Sequence, residues 1–324
     1  MRQAYSIRRR SLLLAAVSAA CASPAFSQGS RAVRLVVPFP PGGAVDATAR
    51  LLAERLPTGL GGRPVVVDNR PGAGGNIAAM MVAQSAPDGD TLLITSNNHT
   101  INLSLYAKPG YALEDFAPIA LLGVSGFVLV AHPKTNFKTL GDMLAAAKAK
   151  PDSISYGTGG NGHPAHLATE LLKSRAKVAM QHIPYRGSGP LTSDLIGGQL
   201  PLGVVSVSAA QPYVVAGQLV ALAVTSKQRW PGLPEVPTVE ECGFPGYEYS
   251  AWIGLLGRSG APQADLTNME RQVLSIAGSE DARSRMYNQG VVLTPKGSAE
   301  FKEMIAHDAV VNRDLIRKIG LKLD

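Results

Sequence analysis

Beyond residue 30 the chain repeats one pattern: a short apolar run, a break rich in glycine and proline, then apolar positions three and four apart. Val33-Arg34-Leu35-Val36-Val37 reads as a buried strand, and Val45, Ala49, Leu52 and Leu56 recur at the spacing of one helix face. Between them stands Pro38-Phe39-Pro40-Pro41-Gly42-Gly43, with prolines that lack N–H groups and glycines that lack a Cβ. Such a turn brings backbone close to a guest and aims the first free amides of the helix at it. The partial positive charge of a helix N-terminus selects an anion. The next units predict a strand at Pro64 to Val67, a loop from Asp68 to Gly75, a helix from Asn76 to Gln84 and a strand from Thr91 to Thr95. Alternation of this kind makes a parallel sheet covered by helices, an α/β fold whose ligands lie beyond the carboxyl ends of the strands. Three small polar loops, Pro40 to Gly43, Asn69 to Gly75 and Ser96 to Thr100, are therefore expected on one rim.

Two apolar strands, Phe116 to Leu122 and Phe127 to Ala131, flank Gly123-Val124-Ser125-Gly126, which predicts a crossing into a second lobe. Beyond it, helices Leu140 to Lys150, Ala165 to Ser174, Pro190 to Ile196 and Gln211 to Ala216 alternate with strands Ile154 to Tyr156, Val178 to Ile183, Leu202 to Val207 and Val220 to Thr225. Trp252 to Leu256 predicts the return crossing. The C-terminal helices, Gln263 to Ala277 and Ser298 to Ile319, are expected to pack back on the first lobe. The organisation is a hinged clam-shell with an interdomain cleft: residues 28–124 plus 250–324 as lobe 1 and 125–249 as lobe 2. Lobe 2 has its own strand–helix turns, Ser155 to Pro164 and Pro184 to Pro190; the second adds the Arg186 guanidinium and the Ser188 hydroxyl.

Size and composition fit this picture, since 324 residues with 45% hydrophobic content suffice for two domains with sizeable cores. Residues 1–27 form a signal peptide: Arg2, Arg8, Arg9 and Arg10, then Leu12 to Ala20, then the small-x-small site Ala25-Phe26-Ser27. Arg9-Arg10-Ser11-Leu12-Leu13 is similar to a twin-arginine signal, so a soluble, exported, periplasmic protein is expected. Ser18-Ala19-Ala20-Cys21 is a poor lipobox. Loss of the signal's four arginines leaves 27 basic against 24 acidic residues, or +3 in place of +7. No basic cluster is interleaved with aromatics, so no nucleic-acid partner is expected. Only Cys242 remains in the mature chain, which excludes an intramolecular disulfide; with no activating His nearby it reads as a buried or incidental thiol.

The side chains near these turns admit competing roles. Asp46 would repel a carboxylate if it faced one, so it either caps free N–H groups or meets a ligand amine or hydroxyl. Arg186 either pairs with a ligand carboxylate or makes an interdomain salt bridge. Ser96, Asn98 and Thr100 either donate to the ligand or stabilise their turn. His163-x-x-His166 has no third ligand at suitable spacing, so neither metal nor any other cofactor is expected. Gly157-x-Gly159-x-x-Gly162 offers the enzymatic alternative, a nicotinamide-dinucleotide oxidoreductase. Against it, the following strand ends in Pro184-Tyr185-Arg186 with no acid for a ribose, and no G-x-S-x-G occurs, so the chain is not read as an enzyme.

Eight strings taken in order carry a family resemblance. They are Pro38 to Gly43 with Asp46 and Arg50, Asn69 to Asn76, Asp88 to Leu93, Asp115 to Ile119, Tyr156 to Gly160, Tyr185 to Pro190, Leu233 to Thr238, and Trp252 to Leu255. Together they resemble the Bug (Bordetella uptake gene) family, the solute-binding proteins of tripartite tricarboxylate transporters. The resemblance implies a two-lobed fold like class II periplasmic binding proteins. It implies a small organic acid in the cleft (a di- or tricarboxylate, an acidic amino acid or an aromatic acid) and delivery to a separate membrane permease by a monomer. It also implies ligand contact by the matching turns Phe39 to Gly43, Gly157 to Gly160 and Arg186 to Ser188. The candidate binding residues are Phe39, Pro40, Pro41, Gly42, Gly43, Asp46, Ser96, Asn98, Thr100, Tyr156, Gly157, Thr158, Gly159, Gly160, His163, Arg186, Gly187, Ser188, Ser206 and Ser208. Gly197-Gly198-Gln199-Leu200-Pro201-Leu202 departs from the family's Gly-Gly-Gln-Val-Asp, which bears on ligand identity rather than on fold.

Overall fold

Strand β1 (Val33–Val37) is flanked on both sides by parallel neighbours, β2 (Val65–Asn69) and β3 (Thr91–Ser96). A central strand covered on both faces needs apolar side chains at nearly every position, which accounts for the run VRLVV. The computed structural model describes residues 31–322; the expected signal segment and Cys21 lie outside them. Helix α1 (Ala44–Gly59) follows β1, and α2 (Asn76–Ala83) follows β2. Helix α3 (Asn98–Leu105) follows β3 directly. The stretch Ser96 to Thr100, expected as a loop, is thus a strand end and a helix start, buried throughout and held by the side chains of Asn97 and Thr100. Strand β4 (Phe116–Ser125) then runs alongside and leads into β5 (Phe127–Ala131).

The expected four-residue break at Gly123 to Gly126 shrinks to Gly126 alone. Gly123 is instead a strand residue crossed by another strand: a Cβ there would lie 2.4 Å from the Val292 carbonyl. That neighbour is β11 (Val292–Gly297), which the hydrophobic pattern did not announce. A glycine inside a strand here marks close backbone approach, not a turn.

In the second sheet, helix α4 (Leu140–Ala149) precedes β6 (Ser155–Thr158), then come α5 (Pro164–Ala176), β7 (Gln181–Pro184), α6 (Ser188–Ile196), β8 (Leu202–Ser206), α7 (Val207–Val215) and β9 (Val220–Val224). The chain returns through β10 (Ala251–Arg258), followed by α8 (Gln263–Gly278), α9 (Glu280–Tyr287), β11 and α10 (Ser298–Ile319). Strand order is β11-β4-β10-β3-β1-β2 in one sheet and β7-β6-β8-β5-β9 in the other. Strands β6, β7 and β8 are parallel, and β5 runs against β8 and β9.

Register places the two sets of loops at the same crossings. Ser125, the end of β4, pairs with Ala251, the start of β10. Two residues on, Phe127 pairs with Ser206 at the carboxyl end of β8. The return is equally short, with the Tyr249 amide on the Thr225 carbonyl at 2.9 Å just before β10 begins. The rim following β1, β2 and β3 and the rim following β6, β7 and β8 therefore both border residues 125–127 and 249–251.

Helix α10 does not pack on the first sheet alone, as expected of the C-terminal helices. Its Phe301 and Ile305 lie with Trp252 and Leu256 on the first sheet, while Leu315 and Ile316 join Leu172, Tyr247 and Tyr249 in the second core. At 22 residues it is about 33 Å long, enough to reach both. Between these ends Asp308 accepts hydrogen bonds from Trp252 Nε1 (3.0 Å), Asn97 Nδ2 (3.3 Å) and the Thr100 hydroxyl. Asn97 Oδ1 in turn accepts the Trp252 amide at 2.7 Å, and Asn312 Oδ1 the Tyr249 hydroxyl at 2.8 Å. Burial pushes the Asp308 carboxyl above its ordinary range, against the pull of the hydrogen bonds from Thr100, Trp252 and Asn312.

Asp308→Asn sets an amide N–H₂ against Asn97 Nδ2, whose own oxygen is already committed. Urea unfolding should show a loss of about 1–3 kcal/mol, the cost of an unsatisfied buried donor; an unchanged midpoint would remove this knot from the account.

Candidate functional site

The turn after β1 is held by its neighbours' side chains. Asn69 Nδ2 donates to the Phe39 carbonyl (3.0 Å) and to Asp46 Oδ1 (2.9 Å). The other Asp46 oxygen accepts the Gly42 amide and Arg50 Nε, both at 2.9 Å. Asp46 is 2% exposed, and both of its oxygens are spoken for. Burial acts to raise its pKa, but the hydrogen bonds from Arg50, Gly42 and Asn69 outweigh it and hold the carboxyl below the usual range. Asp46 is thus a brace within the turn, and the Gly42 amide points at it instead of outward.

What the turn leaves free is the start of α1. Gly43 is its N-cap, extended at φ −86° and ψ 171°, and supplies no side-chain cap. Pro40, Pro41, Gly42 and Gly43 are exposed. Gly42, at φ +96°, sits in the left-handed region where glycine is favoured. The first-turn amides beyond Gly43 have no intrahelical acceptor by construction of a helix.

At the end of β3, Ser96 and Asn98 are 5% and 7% exposed and make no side-chain hydrogen bond among the described residues. Thr100 is different. Its hydroxyl lies 2.8 Å from the Asn97 carbonyl and also contacts Asp308, so it belongs to the internal knot and not to the rim.

The second rim is built from two interlocked turns. The Tyr185 amide donates to the Thr158 carbonyl (3.0 Å) and the Gly187 amide to the Gly159 carbonyl (3.3 Å). Gly160 has φ +137°, and a Cβ there would stand 3.3 Å from the Tyr185 carbonyl. Gly187, φ +101°, is the N-cap of α6 and again supplies no side chain, leaving the amides from Ser188 onward uncapped. Arg186 is exposed and makes neither hydrogen bond nor ion pair among the described residues, so the interdomain salt bridge is not formed. Ser206 is the half-buried N-cap of α7; Ser208 lies against Gly290, where a Cβ would meet it at 2.5 Å.

Several candidates turn inward. The Tyr156 ring is fully buried, and its hydroxyl donates to Glu170 Oε1 at 2.6 Å. Gly157 lies beneath α6, where a Cβ would press on Leu191 and Leu200 at 2.4 and 2.5 Å. His163 caps α5, its Nδ1 accepting the Ala165 amide at 3.1 Å. These side-chain placements make Tyr156, Gly157 and His163 supports of the rim. Cys242 is half-buried, and burial pushes its thiol up, away from nucleophilic use. Sequence reasoning missed the bracing role of Asn69 and the placement of His166 and His182 under the second rim. Asn69 stood within a quoted string, and His166 was weighed only as half of a metal pair with His163; nothing in the pattern marks His182.

A family model described as the tripartite tricarboxylate transporter family receptor matches residues 48–321. The chain belongs to this family. Among similar solved structures, Rpa4515 of R. palustris with adipate is 31% identical and has a TM-score of 0.82, covering 91% of this chain and 99% of that one. The periplasmic binding protein BugD is 30% identical with a TM-score of 0.79, covering 90% and 98%. MatC from Rhodopseudomonas palustris, with bound malate, is 28% identical with a TM-score of 0.78, covering 88% and 99%.

The receptor is therefore a periplasmic-type solute-binding protein with a mixed α/β, two-sheet fold, and not an enzyme. The dinucleotide alternative lacks support in the family, and the first glycine of its fingerprint is spent on helix–sheet packing.

Asp46→Ala strips the partner from Gly42, Asn69 and Arg50 at once. Denaturant unfolding at pH 7 should show a loss of about 1–3 kcal/mol. Because the folded carboxyl is held low, its contribution is present above the unfolded pKa of about 3.9 and fades as pH falls through the lower folded value. Wild type and variant should then converge in strong acid; equal stability at pH 7 would contradict the bracing role.

Proposed function

We propose that this receptor captures a small organic carboxylate between the two rims and presents it to a membrane permease of the tripartite type. The observation that carries this is the pair of glycine-led, uncapped helix starts, Gly43 of α1 and Gly187 of α6, one on each rim. The fold contains its own example of what such a start holds. Helix α10 also begins at a glycine, Gly297, and there the Glu270 carboxylate accepts the Ser298 amide at 2.8 Å and the Ser298 hydroxyl at 3.0 Å. A ligand carboxylate takes the place of Glu270 at the two rim helices, assisted by Ser96 and Asn98 on one side and Arg186, Gly160 and Ser206 on the other. Adipate and malate in the two relatives are dianions of the size such a site suits.

Charge-assisted hydrogen bonds contribute roughly 1.5–3 kcal/mol each. A few of them offset only part of the roughly 4–15 kcal/mol association cost, so apolar contact and closure supply the remainder. Lobe 1 (28–124 plus 250–324) and lobe 2 (125–249) close about the crossings at 125–127 and 249–251. Only the closed form lets one ligand touch both rims, which gives that form its differential affinity. The mature protein begins after the signal at residues 1–27 and acts as a monomer in the periplasm.

Malate, adipate, citrate, glutamate and benzoate should be screened by thermal shift, with at least one dicarboxylate raising Tm. Gly43→Val places its side chain in open space at an ordinary φ, so the unliganded Tm should stay unchanged while the ligand shift disappears. A full ligand shift in Gly43→Val would exclude the first rim from the site.

A further inference from the structure

Under the second rim two stacked imidazoles, His166 and His182, and a third, His163, contact the turn that precedes α5. His163 Nδ1 accepts the Ala165 amide at 3.1 Å, and Gly159 lies against its ring, where a Cβ would come within 3.1 Å. His166 Nδ1 accepts the Gly162 amide at 3.3 Å, and its ring stacks on His182 at 3.7 Å between centroids and 11° between planes. His182 Nε2 lies 2.7 Å from the Thr158 hydroxyl oxygen. That same oxygen accepts the Gly160 amide at 3.4 Å and lies 3.2 Å from the Gly160 carbonyl. Every residue from Thr158 to Gly162 except Asn161 is thereby tied to an imidazole, directly or through Thr158.

We propose that His163, His166 and His182 are positioning residues of the ligand site, acting as an uncharged mould that sets the direction of the Gly159–Gly160 backbone toward the carboxylate. The proposal rests on the carboxylate-binding function above and deepens it. An imidazole nitrogen that accepts an amide carries no proton, so His163 and His166 hold their single hydrogen on Nε2. A second proton would face Nδ1–H against the N–H of Ala165 and of Gly162, donor against donor. Histidines close to an anion site invite a role as cationic partners; here the geometry requires the neutral form, and the backbone supplies the donors.

The surroundings keep them neutral. Glu170 Oε1 lies 3.7 Å from His166 Nε2, but it also accepts Lys173 Nζ at 2.6 Å and the Tyr156 hydroxyl at 2.6 Å. Lys173 stands 5.4 Å above the Tyr156 ring, with Lys177 and Lys318 lining the hollow outside it, so the cluster is not acidic. On the other side His163 meets the edge of Phe127. Burial pulls His163 and His166 down to about 4 and His182 to about 3, aided by Lys173 at His166 and by His166 at His182.

The mature protein should be titrated with malate and adipate by calorimetry at pH 7.5, alongside imidazole ¹⁵N spectra between pH 8 and 5.5. Thr158→Val and His182→Leu are expected to weaken binding by about tenfold or more, since each unties Gly160. Thr158→Ser and His182→Gln restore a hydroxyl and a donor at the Nε2 position, and should recover binding to within about threefold. The spectra should show His163 and His166 as neutral Nε2–H tautomers throughout. Wild-type affinity in folded Thr158→Val and His182→Leu would overturn the proposal, as would failure of the conservative variants to recover binding. So would either histidine titrating near 6.5 or carrying its proton on Nδ1. If these variants bind normally while Gly43→Val does not, the mould alone is wrong. If the wild-type protein binds no carboxylate, the proposed function fails and the mould falls with it.

Discussion

Backbone amides at a helix start must find an acceptor, and the sequence decides helix by helix who supplies it. Thr139 caps α4 through a capping box at 3.1 Å, Ser279 caps α9 at 3.3 Å, and His163 caps α5 at 3.1 Å. Glu270 serves α10 from a distance in sequence. By contrast α1, α2 and α6 each begin at a glycine that offers no side chain, α1 and α2 following strands of the first sheet and α6 a strand of the second. Glycine costs a helix start only a few tenths of a kcal/mol relative to the best caps, so the omission is tolerable for folding. It leaves positive helix ends uncapped on both sheets, α1 on one and α6 on the other.

The topology also brings the two sheets' rims to the same crossings at small expense in chain length. One residue, Gly126, separates a strand of the first sheet from a strand of the second. The return crossing pairs Tyr249 with Thr225 two residues before β10. Helix α10 adds a third connection, with apolar residues in both cores and Asp308 pinning its middle to the start of α3 and to Trp252. A half-buried carboxylate receiving three hydrogen bonds suits such a place because it fixes one geometry and tolerates few others. The rims thus border the same crossings, yet are joined by few covalent paths.

Much of this was legible in the chain. The strand–turn–helix alternation, the two glycine-led turns and the crossing strands follow from periodicity and from glycine and proline placement. Asp46 was legible as a capping group because an acid at an anion site makes little sense otherwise. The misses share one physical origin: polar or glycine-rich segments look like loops whether they face solvent or an internal partner. Ser96 to Thr100 runs from a strand end into a helix because Thr100 and Asn97 pair with Asp308, more than two hundred residues away. Gly123 belongs to a strand because β11 crosses it. Helix α10 was assigned to one lobe because a pattern of apolar spacing does not say which core each half meets. Tyr156 and Gly157, read as ligand contacts, lie inside for the same reason, their partners Glu170, Leu191 and Leu200 being invisible to local pattern.

The most direct measurement is the response of individual backbone amides as malate is added to ¹⁵N-labelled mature protein. The account requires amides of the first turns of α1 (Ala44, Val45) and of α6 (Ser188, Gly189) to move downfield together, saturating at a single dissociation constant. Shifts that saturate while the amides of both helix starts stay in place would contradict it.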